Sequence, residues 1–163
     1  MNAADFPGLS FPEALRSLRE MPLVLRAAIA GASREELLLR PAPDTFCLVE
    51  HACHLRDLER EGYLVRVRRI LAEESPALEG FDGDAVAKAR DYPAQDARAA
   101  AREFAQARAE LVALLESVDA HGAAREATFG GRRITLAGLV TMIEDHDRGH
   151  REEIAALAPM QEA

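Results

Sequence analysis

Apolar residues recur at helical spacing in four long segments of the chain. With about 100° of rotation per residue, the apolar positions of each segment fall on one face, as in a helix that packs against a core. The pattern predicts helices over residues 11–30, 47–74, 93–118 and 135–158, with proline or glycine near most of the ends. Four long amphipathic segments joined by connections of different lengths favour an all-α four-helix bundle.

The connections between these segments differ in their predicted structure. The segment 75–92 contains proline and glycine and is predicted to be a loop. Ala127 to Ile134 predicts a small hairpin before the last helix, since Gly130-Gly131 suits a two-residue turn. Thr135 then has the position of a helix cap. No segment has the composition of a linker, and we therefore expect a single domain over residues 1–163.

The last predicted helix has two histidines in the middle of its apolar face. Four-residue spacing lets the imidazole rings of His146 and His150 reach a single point. Asp147 lies about 100° from His146 and is expected to face outward or toward a neighbouring subunit. The helix is expected to end at Leu157 or Ala158, before Pro159. Seven side chains fall within about 80° of one another, namely Leu136, Leu139, Ile143, His146, His150, Ile154 and Leu157.

The second predicted helix contains two further histidines, His51 and His54. Continuous winding at about 100° per residue places His54 on the same face as Cys47, Leu58, Val65 and Ala72. Because only three residues separate His51 from His54, spacing alone leaves open which of them accompanies the pair on the last helix.

Charged residues near these faces have alternative interpretations. Glu50, Asp57 and Glu61 could accept hydrogen bonds from the ring nitrogens that do not bind a metal. Alternatively, Glu50 caps the start of its helix, which we favour, and the other two form ordinary surface ion pairs. Arg108 lies at the edge of the apolar face of the third helix, where its stem could pack while its guanidinium reaches water.

The histidines on apolar faces allow three kinds of function. An isolated histidine at such a position is more often a hydrogen-bonded core residue, but a pair with a third histidine on another helix favours a metal site. Imidazole binds zinc, nickel, copper and iron, and three ligands leave a position open for water or substrate. We therefore consider a metal-dependent enzyme, a non-catalytic bundle that binds a small ligand or senses metal, and a helical interaction module with core histidines.

Composition limits the kinds of partner and the cellular compartment that we expect. The chain of 163 residues has a net charge of −8 and a single lysine, Lys88, which disfavours binding to nucleic-acid phosphates. No apolar run reaches the ~20 residues that span a membrane. Cys47 and Cys53 would have Cα atoms roughly 9 Å apart on one helix, too far for a disulfide. Reduced thiols, and no signal-peptide pattern near the first residue, lead us to expect a cytoplasmic protein.

Two stretches of the chain resemble the DinB-like family. The segment from Phe46 to Glu59 resembles the family's second-helix signature, with Phe46 where tryptophan is usual and Cys47 where serine is usual. The segment from Ile134 to His150 resembles its last-helix signature. The resemblance covers nearly the whole chain and implies a four-helix bundle that is commonly a homodimer.

The resemblance also implies a metal site. The family's triad takes one histidine from the second helix and two from the last, which correspond here to His54, His146 and His150 and leave out His51. Its relatives include metal-dependent hydrolases, thiol transferases and a thiol-dependent isomerase. We therefore expect a divalent ion, Zn²⁺ or Ni²⁺, and a small-molecule substrate of unknown identity. No general acid or base is identified.

Overall fold

The computed structural model describes residues 10–162, with side chains as far as Ala158. The first nine residues and the last residue of the predicted single domain lie outside the described residues. The helices and strands are α1 (Phe11–Ile29), α2 (Arg34–Leu37), α3 (Leu48–Leu58), α4 (Leu64–Ala72), β1 (Ala77–Leu78), α5 (Gly83–Ala89), α6 (Ala97–Glu116), α7 (Ala120–Ala123), β2 (Glu126–Phe129), β3 (Arg132–Thr135) and α8 (Leu136–Glu162).

The long helices form the predicted four-helix bundle. Helix α1 packs against α6 and α8, and α3 packs against α6. The buried apolar residues divide into two clusters, one around α4, the sheet and the start of α8, the other around α2, α3 and the end of α8. His146 and His150 lie between the parts of α8 that enter the two clusters. None of the described helices is both long and apolar enough to cross a membrane.

A π-helical turn interrupts the second long helix. Residues Glu59–Tyr63 join α3 to α4 with i→i+5 hydrogen bonding, which inserts about one extra residue into the turn and rotates everything that follows. Continuous winding placed Val65 and Ala72 on the inner face, and this prediction is wrong, since both are exposed. Leu64 and Val67 are buried in their place.

Two predicted helix ends differ from the structure. Helix α6 begins at Ala97 rather than near residue 93, because the side chain of Asp96 caps it by accepting from the backbone N–H of Ala99. Helix α8 continues through Pro159 to Glu162. A proline removes one hydrogen bond from a helix but leaves those on either side, so a last turn can persist beyond it.

The predicted hairpin is confirmed, and it belongs to a larger sheet. Strands β2 and β3 pair antiparallel, and the turn glycines Gly130 and Gly131 have φ of +57° and +76°, a conformation that glycine adopts without strain. Strand β1 adds to β2 in parallel, with Ala77 opposite Thr128. The prediction of a plain loop over residues 75–92 is therefore wrong, because it contains β1 and α5.

Candidate metal centre

Helices α3 and α8 bring the three predicted ligands together. Nε2 of His146 lies 3.3 Å from Nε2 of His54 and 3.1 Å from Nε2 of His150. Ligand nitrogens from all three rings lie within 4.8 Å of one another. Zinc holds nitrogen ligands at about 2.0 Å, and a tetrahedral arrangement then separates two of them by about 3.3 Å. The observed spacing therefore fits one metal ion.

Hydrogen bonding among the rings accounts for this arrangement less well. A ring nitrogen has either one proton or one lone pair, so Nε2 of His146 can satisfy only one of its two neighbours well. A metal ion accepts the lone pairs of all three nitrogens at once. The convergence therefore favours a metal site over three ordinary core histidines.

Burial keeps these rings neutral. Loss of solvent, with the neighbouring His146 adding to it, lowers the pKa of His54 to about 4, and burial lowers the pKa of His146 to about 4 as well. The pKa of His150 falls to about 2, because burial is reinforced by the surrounding imidazoles. Since neutral imidazole is the form that binds metals, the lone pairs are available at pH 7.

Phe46 and Gly83 shape the space around His54. The Phe46 ring lies against both histidines of α3, with centroids 5.6 Å from His51 and 5.4 Å from His54. Helix α5 starts against the other side, where a Cβ added to Gly83 would lie 2.8 Å from Cε1 of His54. Sequence reasoning missed Gly83, although Asp82, which accepts from the N–H of Ala85, is a typical helix cap.

The carboxylates proposed to orient the ligand rings have other partners. Glu50 accepts from the backbone N–H of Cys47, so the helix-cap interpretation is confirmed. Asp57 and Glu61 both form ion pairs with Arg90. Within residues 10–158, Nδ1 of His54 and Nδ1 of His146 are buried without a hydrogen-bond partner. The interpretation of these carboxylates as acceptors for the ligand rings is therefore wrong.

His51 lies beside the triad and is completely buried. Its Nδ1 is 2.8 Å from Nδ1 of His150, the nitrogen that faces away from the convergence point. Its Nε2 lies 3.6 Å from a carboxylate oxygen of Glu153. Spacing had left open whether this residue or His54 joins the pair on α8, and the structure gives the two histidines different neighbours.

A buried ionic network crosses the bundle beside the histidines. All five N–H donors of Arg108 are used, by Glu59, Asp147 and the carbonyl oxygen of Leu18. The predictions that Arg108 reaches water and that Asp147 faces outward are wrong, since both are 1% exposed or less. Burial raises the pKa of Asp147 and of Glu59, and the guanidinium opposes that rise. The predicted direction of a side chain on its own helix does not reveal which residue of another helix it pairs with.

The two cysteines are free thiols inside the bundle. Burial raises the pKa of Cys47 to about 11 and that of Cys53 to about 12, so both are protonated at neutral pH. Neither thiol is in the form that attacks a substrate or binds zinc.

The triad leaves room in the coordination sphere of an ion. Among the described residues, the group that includes His54 and His146 contains no carboxylate and no thiol. Structural zinc sites are closed by four protein ligands, whereas catalytic sites use three and leave one position for water or substrate. A three-histidine set of this kind can therefore bind an ion that still accepts a small molecule.

Comparison with known proteins agrees with this architecture. The chain is similar in structure to YfiT from Bacillus subtilis, described as a probable metal-dependent hydrolase with an unusual four-helix bundle topology. The two share 20% sequence identity with a TM-score of 0.86, over 95% of this chain and 91% of that one. At this identity the likeness establishes the fold. No curated protein sequence matches the chain significantly.

The sequence profile of a family covers most of the chain. The DinB superfamily profile matches residues 17–154, a range that includes α3, α6 and all four histidines of the site. The predicted resemblance is thereby confirmed, and this chain belongs to the DinB superfamily.

Proposed function

We propose that His54, His146 and His150 hold one divalent metal ion, and that the chain is a metal-dependent enzyme acting on a small molecule. The observation that supports this is the convergence of three neutral Nε2 atoms at the spacing of metal ligands. We propose a hydrolase or a transferase of low-molecular-weight thiols. The description of YfiT as a probable metal-dependent hydrolase supports the first of these classes.

The three imidazole ligands indicate which metal ions the site would bind and what chemistry they would supply. Three imidazoles suit Zn²⁺ and Ni²⁺, and we propose one of these two ions. When bound, the ion would act as a Lewis acid and activate a water molecule or a thiol as the nucleophile. The chain itself supplies three neutral nitrogens, a buried setting that keeps them neutral, and a coordination sphere with no fourth protein ligand among residues 10–158.

Metal analysis of protein purified without a histidine tag tests the proposal. We expect about one zinc or nickel ion per chain by inductively coupled plasma mass spectrometry, and a loss of that ion in His146→Ala. His121→Ala is the matched control, because this histidine is exposed on α7 and should leave the metal content unchanged. A wild-type chain without stoichiometric metal, after reconstitution with both ions, contradicts the proposal.

A non-catalytic protein that binds a small ligand or senses metal is the second candidate. It is favoured by the ligand rings of His54 and His146, whose Nδ1 atoms lack the carboxylate partners common in tuned catalytic sites. Turnover separates the candidates. The enzyme is supported if the protein cleaves ester or amide substrates, or transfers a thiol, and if this activity is lost with a chelator and in His146→Ala. Tight metal binding without turnover supports the second candidate.

We further propose that residues 1–163 form one domain, that the protein is a cytoplasmic homodimer, and that it binds neither nucleic acid nor membranes. The two free buried thiols support a reducing compartment. The net charge of −8 supports the exclusion of nucleic acid. Light scattering after size-exclusion chromatography measures the assembly, and a monomer at micromolar concentration contradicts the homodimer.

A further inference from the structure

His51 makes a contact that the metal triad alone does not explain. It lies on α3, one turn before His54, and is completely buried. Its ring meets that of His150 edge to face, with centroids 5.0 Å apart and an interplanar angle of 89°. In this orientation Nδ1 of His51 and Nδ1 of His150 approach to 2.8 Å. Two buried ring nitrogens are thus in direct polar contact outside the convergence point.

The distance between these nitrogens fits a hydrogen bond better than two ligands of one ion. Two ligands of one tetrahedral zinc ion would lie about 3.3 Å apart, whereas hydrogen-bonded heavy atoms approach to about 2.7–3.2 Å. At 2.8 Å, one Nδ1 must have the proton and the other the lone pair. A second ion held by His51, His150 and Glu153 is disfavoured for the same reason, although their ligand atoms are near one another.

The direction of this hydrogen bond follows from the proposed metal site, on which the inference rests. If Nε2 of His150 gives its lone pair to the ion, the neutral ring has its proton on Nδ1 and donates it to His51. Nδ1 of His51 is then an acceptor, and the proton of that ring is on Nε2. Nε2 of His51 has no hydrogen-bond partner among the described residues, and a carboxylate oxygen of Glu153 lies 3.6 Å from it, close enough to attract the proton electrostatically. Nε2 of His150 and the two Nδ1 atoms therefore have one defined role each.

We propose that His51 is a positioning residue that fixes the tautomer and the orientation of His150, with Glu153 favouring the required tautomer of His51. Metal-binding histidines usually donate their second nitrogen to a carboxylate, a carbonyl oxygen or water. Here a second histidine takes that role. His54 and His146 have no such partner among the described residues, so His150 is the ligand of the three whose orientation is fixed by hydrogen bonding.

Metal affinity of His51 variants tests this role. His51→Leu removes the acceptor and keeps a similar volume, and we expect it to weaken zinc binding about 10–100-fold, the usual effect of losing such a partner. His51→Asn places an amide oxygen at the position of Nδ1 and should restore most of the affinity. Competition with a chromophoric chelator measures both, with His121→Leu as the control. Glu153→Gln should weaken binding less than His51→Leu does.

The tautomers can also be observed directly in the unsubstituted protein. In ¹⁵N-labelled, zinc-loaded protein, long-range proton–nitrogen NMR should show His150 protonated at Nδ1, and His51 protonated at Nε2 with an unprotonated Nδ1. His51→Leu should speed exchange of the His150 Nδ1 proton with solvent. His51→Asn should slow that exchange again if the acceptor matters, and should not do so if only packing is lost. A His51 ring protonated at Nδ1 overturns the inference even if no variant folds.

The outcomes separate this inference from the proposed metal site. Wild-type protein that binds no zinc contradicts both. If His146→Ala abolishes zinc binding but His51→Leu changes the zinc affinity by less than about twofold, the role of His51 alone is overturned. Two zinc ions per chain, with the second lost in Glu153→Gln, would mean that His51 is itself a ligand and would also overturn the role.

Discussion

Single residues decide the fine geometry of the candidate site. The three rings converge because His54 is held between Phe46 and the start of α5, while His150 contacts His51. At Gly83 the missing side chain leaves the space that the His54 ring occupies. Glycine allows the backbone of α5 to approach the ring closely, as it does at other sites where backbone meets a ligand.

Gly83→Ala should weaken metal binding by displacing His54. The added Cβ would lie 2.8 Å from Cε1 and 3.0 Å from Nδ1 of a ring that is not a flexible chain end, so either the ring or α5 must move. We expect a loss of zinc affinity of about tenfold or more, since displaced ligands cost affinity as lost partners do. The measurement is chelator competition.

Gly80→Ala provides a matched control for this substitution. It lies three residues earlier in the same connection, and an added Cβ there meets no atom within 4 Å. We expect zinc affinity equal to that of the wild type. Equal affinities for the Gly83→Ala and Gly80→Ala proteins would mean that α5 yields freely and does not constrain His54.

At the scale of elements, Arg108 on α6 joins the π-helical turn to α8. It binds Glu59 in the turn and Asp147 beside His146, each through two hydrogen bonds. A π-helical turn rotates the residues after it, and such turns are frequent at functional sites. The network therefore links α8 to the end of α3, the two helices that supply the proposed metal ligands.

Arg108→Met should destabilise the protein strongly. It leaves two carboxyl groups buried without their cation, and breaking a buried pair in this way costs about 3–5 kcal/mol. Urea denaturation measures the change. Arg68→Met, which removes the exposed pair with Glu110, is the control and should cost less than about 1 kcal/mol.

A second variant separates charge from packing in this network. Adding Glu59→Gln and Asp147→Asn to Arg108→Met removes the uncompensated carboxylates and should recover part of the lost stability. If the triple variant is instead less stable than Arg108→Met by the sum of the losses of the two added substitutions, the network acts through shape rather than charge.

The whole molecule is a bundle with a polar middle layer. Apolar clusters fill its two halves, while the histidines and the Arg108 network lie where the clusters meet. The four histidines in that layer are uncharged at neutral pH, and their burial opposes protonation. The stability of the apoprotein should therefore depend on pH.

Apoprotein prepared with a chelator should lose stability as the pH falls from about 6.5 toward 4. In the unfolded chain histidines bind protons below about pH 6.5, whereas burial lowers the pKa of His54 and His146 in the folded state to about 4. The unfolded state therefore takes up more protons in this window. Each such histidine contributes a slope of up to about 1.4 kcal/mol per pH unit.

Urea denaturation at several pH values tests this dependence. His54→Gln should reduce the slope between pH 6.5 and 4, and His121→Gln, at an exposed position outside the site, is the control. The other ionisable groups are common to all three proteins and cancel in the comparison. Equal slopes for the wild type and His54→Gln would mean that His54 is protonated as readily in the folded chain as in the unfolded one.

The sequence by itself determined the four long helices and the histidines on their inner faces. Periodicity of apolar positions depends on local geometry, so it placed α1, α6 and the start of α8, and turn chemistry placed the hairpin at Gly130. The motif around His54 and the pair on α8 indicated the triad, and the structure brings those rings together.

Only the tertiary structure decided how the site is supported. The π-helical turn leaves Val65 and Ala72 exposed, although the apolar pattern predicted them to be buried. The pattern of one helix does not predict such a turn, because the turn depends on the neighbours against which the helix packs. The pairing of Arg108 with Asp147 and the contact of His51 with His150 join residues 39 and 99 positions apart. Contacts of this kind follow from the packing of helices against one another. The sequence of one helix does not show which residue of another helix its side chains will contact.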